Sequence, residues 1–185
     1  DVYKRQHWFL GDGMGHGIRL KKGKAEWYRN RFVQTPDITE PLTDPMAGLG
    51  DLRRGKGNTH VVAHNEQIMC LEEAHWPWTI NADLETTGVL NYEGKLDCSM
   101  TAHPKVCPVT GELLAFSYFS FEQPYLKYIR VSADGKLQQV EGIELPEMVM
   151  MHDFNITRNF VIFMDLPLAL DCLLYTSDAA DDITG

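Results

Sequence analysis

The chain has 185 residues, enough for one domain or one and a fraction. Its formal net charge of −9 and isoelectric point near 5.2 argue against a nucleic-acid partner, which would favour a basic face. No run of about 18 apolar residues occurs, so no spanning helix is expected. The four cysteines lack a Cys-x-x-Cys spacing and read as free thiols, not structural zinc ligands.

Both ends break the pattern of the rest. Residues 1–6 and 172–185 read as non-native, adapter-like segments, leaving 7–171 as the folded unit; a natural acidic tail is the alternative for the second segment. Gly11, Gly13, Gly15 and Gly17 predict a tight turn in which backbone approaches backbone. No helical pattern and no Lys-Ser/Thr follow them, so a phosphate loop is disfavoured. Residues 17–33 predict a hairpin turning at Lys21–Lys24, and 34–58 read as one long loop.

Strands are expected at 59–63, 67–73 and 87–90, with His75–Ile80 an aromatic loop or edge. The fullest unit comes next, with strands at 99–103, 112–119, 125–131 and 137–143. Asp134-Gly135 joins the last two, because that pair tolerates the positive φ of a hairpin turn. Another unit opens at 148–154 and continues through 159–165. No segment of about twelve residues carries a helical period. Four antiparallel strands in about 45 residues make a propeller blade. The predicted fold class is therefore all-β: a partial β-propeller of roughly two to three blades.

A His beside small or apolar residues recurs at His64, His103 and His152, at separations of 39 and 49. A His repeated at the inner ends of blade-opening strands would aim several imidazoles at one axis, and imidazole binds Zn, Cu, Fe or Ni. The other reading is a hydrogen-bonded core His at each position, and the repeat alone leaves both open.

Several motifs, taken in order, resemble the carotenoid cleavage oxygenases, the family that includes the lignostilbene dioxygenases. They are Gly11-Asp12-Gly13-Met14 with His16-Gly17, Asn58-Thr59-His60-Val61-Val62, Leu71-Glu72-Glu73-Ala74, Met100-Thr101-Ala102-His103-Pro104-Lys105 and Met151-His152-Asp153-Phe154. The resemblance covers residues 8–171 and implies part of a seven-bladed β-propeller with Fe(2+) on its axis, held by four His. It makes His103 the first ligand and His152 the second, with the other two beyond residue 171. It makes Glu73 a carboxylate that accepts a hydrogen bond from a ligand imidazole, fixing its tautomer.

The implied activity is cleavage of a conjugated C=C bond by O2 to give two carbonyl products, with this chain alone inactive. The implied partners are O2 and an apolar polyene or stilbene-like substrate, with peripheral membrane contact for its uptake. The expected location is cytoplasmic. The alternative from another class is a metal-free β-propeller binding module.

Among the remaining His, His64 is expected to be structural or exposed, His16 packed or hydrogen-bonded, and His60 and His75 surface or loop residues. Trp76, Trp78, Phe119 and Phe121 are candidates for an apolar tunnel wall, with core or edge packing as the other role. Lignostilbene-type members read a phenol with a Tyr and a Lys. Glu72 stands where that Lys is sought, which favours a carotenoid or apocarotenoid.

Overall fold

The computed structural model describes residues 11–48 and 50–169; the two end segments read as adapter-like lie outside them. The described chain is almost entirely antiparallel β. Strands β1 (Met14–Lys21) and β2 (Lys24–Phe32) form a hairpin whose turn uses positive φ at Lys22 and Gly23. A first four-stranded sheet has the order β3 (His60–His64), β4 (Gln67–Leu71), β5 (Trp78–Ile80) and β6 (Thr86–Val89). A second has β7 (Lys105–Val106), β8 (Leu113–Ser117), β9 (Leu126–Val131) and β10 (Leu137–Ile143), again side by side in chain order. A short ribbon, β11 (Asn155–Ile156) with β12 (Val161–Ile162), follows. The two meandering sheets are propeller blades.

Local chemistry accounts for the second blade. In β8 successive side chains point to opposite faces. Leu113 and Ala115 enter one core with Met69 and Leu71 of β4, while Phe116 and Tyr118 enter another with Val149, Met151 and Phe154. β9 divides in the same way, Ile129 and Val131 joining the first core and Leu126 the second. The blade is therefore apolar on both faces and is held between its neighbours. At the β9–β10 turn Gly135 has φ +78°, as Asp134-Gly135 requires.

The tight turn expected at Gly11–Gly17 is not formed, because Gly15 and Gly17 lie in strand β1, but the expected close backbone approach occurs at Gly13. A Cβ on Gly13 would lie 2.3 Å from the Gly57 carbonyl oxygen, and Gly13 N–H donates to Lys56 O at 3.0 Å. Only glycine permits that approach.

Three further expectations need correction. Residues 99–103 are not a strand. Met100 N–H donates to His75 O, while Thr101 N–H donates to Phe116 O. The segment threads between the two blades and is shared by both, so neither extends a full ladder along it. Residues 78–80, read as part of an aromatic loop, form strand β5 between β4 and β6. The loop 34–58 contains one helical turn, α1 (Pro36–Thr39), and 3-10 turns at Pro45–Gly48 and Leu52–Arg54. Arg54 and Lys56 both reach the Asp37 carboxylate and tie that loop together.

Candidate metal centre

Two blade junctions and one connection within the first blade deliver the site. Glu73 follows β4 by two residues, His103 precedes β7 by two, and His152 precedes β11 by three. One ligand-type atom from each lies within 4.8 Å of the other two. Two ligands about 2.1 Å from one metal would sit within about 4 Å of each other, so the group is close to a coordinating arrangement. The His103 and His152 rings meet edge to face with centroids 4.3 Å apart.

Each imidazole is held in its own way. His103 sits on the threaded segment, where the buried Thr101 hydroxyl accepts its backbone N–H at 3.2 Å. His60 Nδ1–H donates to the adjacent Ala102 carbonyl at 2.8 Å, and its ring lies 5.5 Å from that of His103. His152 Nδ1 lies in close contact with Glu73 Oε1. The other Glu73 oxygen accepts the hydroxyl of Tyr118, which is 3% exposed. Lys105 and Asp153 bridge the two His motifs at 2.7 Å, and the Lys105 ammonium also lies over the Phe154 ring.

The site suits a first-row metal. His103 Nε2 is buried and has no hydrogen-bond partner among the described residues. A buried nitrogen without a partner costs free energy unless a ligand takes it up. Burial, and after it the charge of His152, lowers the His103 pKa despite the opposing Asp153 and Glu73 carboxylates. The ring is thus kept neutral, which is the form that coordinates. With Glu73 on Nδ1, the second nitrogen of His152 remains for a metal. Two imidazoles backed by a carboxylate match the donor chemistry of iron and its neighbours.

The remaining candidates disperse. His64 lies at the far end of β3, where Nε2 meets the Gly111 carbonyl at 2.9 Å. His16 Nδ1 pairs with the Tyr28 hydroxyl at 2.6 Å. His75 is a loop residue whose Nδ1 meets Glu72 Oε1 at 2.5 Å. His60 was expected on the surface or in a loop. It is exposed, but as a strand residue beside His103. Register explains this: His60 pairs with Leu71, two residues before Glu73, whereas His64 pairs with Gln67 at the distal turn.

Trp76 packs on the first core, and Trp78 packs around Val33 and Cys70 while its indole N–H donates to Arg53 O. Phe119 and Phe121 stay exposed and extend outward, ring to ring, from Tyr118. Tyr118 itself went unread in the sequence. Its signal was a tyrosine in an apolar strand, because a buried phenol needs a hydrogen-bond partner.

Comparison with known proteins decides the family. The family model described as retinal pigment epithelial membrane protein matches residues 2–182. The chain belongs to this family, the carotenoid cleavage oxygenases. It is 38% identical over 200 residues to carotenoid 9,10(9',10')-cleavage dioxygenase 1 of Arabidopsis thaliana, covering 91% of this chain and 37% of that protein. It is 38% identical over 170 residues to the carotenoid cleavage oxygenase of Mycobacterium tuberculosis, covering 89% and 34%. The crystal structure of Pseudomonas brassicacearum lignostilbene dioxygenase superposes with a TM-score of 0.76 at 35% identity, covering 88% of this chain and 37% of that one. This carotenoid-oxygenase chain therefore spans little more than a third of the length of the relatives it matches.

Proposed function

We propose that this chain carries two ligands, His103 and His152, of the Fe(2+) site of a longer dioxygenase. That enzyme cleaves a conjugated C=C bond of a carotenoid, apocarotenoid or stilbene with O2 and releases two carbonyl products. The observation that carries the reading is the meeting of His103 and His152, from two successive blade junctions, with Glu73 from the β4–β5 connection, and with His103 Nε2 buried and unpartnered among the described residues.

When bound, Fe(2+) supplies the means to activate O2, which does not otherwise react readily with a closed-shell alkene. The protein residues do the rest. Glu73 lies against His152 Nδ1, which favours the Nδ1–H tautomer and presents the other ring nitrogen. Burial keeps His103 neutral. The Lys105–Asp153 pair locks the two His segments to each other. The Phe119 and Phe121 rings offer an apolar surface leading outward from Tyr118, suited to a flat conjugated chain.

Glu72 supports a polyene over a phenol as substrate. Its Oε1 is taken by His75 and by the Ala74 N–H, so a carboxylate stands where a phenol-reading cation is sought. Peripheral membrane contact is proposed from substrate chemistry, because a polyene partitions into lipid rather than water. The test is iron content and O2-dependent cleavage of an apocarotenoid by the parent protein, beside its His103→Ala and His152→Ala variants. Loss of iron and activity together in both variants is expected; a folded parent without iron would overturn the proposal and leave a metal-free propeller.

A further inference from the structure

Glu73 can set the tautomer of His152 only if its carboxylate is itself held in one orientation. A carboxylate bonded at one oxygen still swings about its side-chain torsions, and a long acidic side chain loses rotamer entropy when fixed. In this chain the second oxygen is fixed as well. Tyr118 lies directly beyond β8, on the face turned toward the core of Phe116 and Phe154. Its ring packs against Phe116 and Phe119, which leaves the phenol little freedom. Its hydroxyl donates to Glu73 Oε2, while Glu73 Oε1 lies in close contact with His152 Nδ1.

We infer that Tyr118 is a positioning residue: it clamps Glu73 so that His152 stays in its Nδ1–H tautomer with the other ring nitrogen free for the metal. The consequence for metal binding rests on the iron reading above; the tautomer itself does not. The phenol also remains a donor throughout the working range. Burial, and after it the bond to Glu73, raises its pKa above the ordinary value. The Tyr118–Glu73 end of the relay is the buried end, where a hydrogen bond constrains most, whereas the His152 side chain is 55% exposed. The relay is not local in sequence: Tyr118 lies 45 residues from Glu73. Only the packing of the second blade against the end of β4 brings them together.

The test uses the parent protein with 15N-labelled histidine. In the metal-free wild type, His152 is expected as the Nδ1–H tautomer. Tyr118→Phe, which removes one oxygen and keeps the ring, should shift His152 toward a mixture of tautomers. It should also weaken Fe(II) binding about tenfold, the lower end of what loss of an outer hydrogen-bond partner costs. In a Glu73→Ala background the same change should do nothing further.

An unchanged His152 tautomer in folded Tyr118→Phe would overturn the inference. If the wild type binds no iron but Tyr118→Phe still shifts the tautomer, the clamp stands and the iron reading fails. A second measurement needs no change at Tyr118. Its hydroxyl proton should appear as a slowly exchanging, downfield resonance that Glu73→Ala abolishes; a freely exchanging hydroxyl in the wild type would contradict the clamp.

Discussion

Phe154 lies two residues beyond His152 and is fully buried. Its ring meets Phe116 edge to face at 5.0 Å and stacks on Phe163 at 5.8 Å. Its backbone N–H is taken by Asp153 Oδ1, the same oxygen that receives Lys105. Phe154 is therefore the apolar anchor that seats the His152 segment on the second core. Truncation to Ala leaves a ring-sized hole in the second core, among Phe116, Leu126, Met151 and Phe163.

Such Phe→Ala changes cost about 3–5 kcal/mol, a figure that includes the cavity and the lost ring contacts. Taking about 4 kcal/mol, the folded-to-unfolded ratio falls roughly a thousandfold. That is a large part of the ~5–15 kcal/mol that typically holds a domain together. Phe154→Leu keeps much of the volume and should cost distinctly less. The assay is urea unfolding of the wild type and both variants, comparing midpoints at a shared slope. Iron affinity, measured well below the midpoint, should fall with Phe154→Ala as His152 loses its seat. A cost under about 1 kcal/mol for Phe154→Ala would show that this site collapses freely, contrary to the close packing that the argument requires.

Two further outcomes follow from the titratable groups. Burial alone would raise the Asp37 pKa, but hydrogen bonds from Lys56 and Arg54, and their charges, outweigh it and lower the value in the folded state. Its contribution is therefore present above the unfolded-chain pKa of about 3.9 and is lost as pH falls through that value toward the folded one. Asp37→Asn should cost about 1.5–3 kcal/mol at pH 7, as expected for bonds to a charged group, with the gap closing as the carboxylate protonates in acid; a pH-independent gap in the unfolding midpoints would refute this. Burial raises the thiol pKa of Cys70 and Cys98 to about 11 each, whereas hydrogen bonds from Thr110 lower that of Cys107. Alkylation at pH 8, followed by peptide mapping, should label Cys107 before Cys70 and Cys98, and equal labelling of these three would contradict the burial.

Much of the second blade was legible because its signals agree with one another. Residues 126–131 alternate, Asp134-Gly135 can only turn, and 137–143 return as the partner strand. The threaded segment at 99–103 misled, because an apolar run reads alike whether its backbone serves one ladder or is divided between two sheets. The His repeat located His103 and His152 but aligned them with the wrong His of β3. Spacing carries no register, and only the β3–β4 pairing shows that His60, not His64, stands at the inner end. The Glu73–Tyr118 contact was illegible because it depends on how two sheets pack, not on any local pattern.

Iron stoichiometry in the purified parent protein tests the central claim most directly, with His103→Ala and His152→Ala prepared alongside. The account predicts one iron per wild-type chain, loss of that iron in each variant, and unchanged folding by circular dichroism. A folded wild type without iron, or a His152→Ala variant that keeps its full complement, would contradict it.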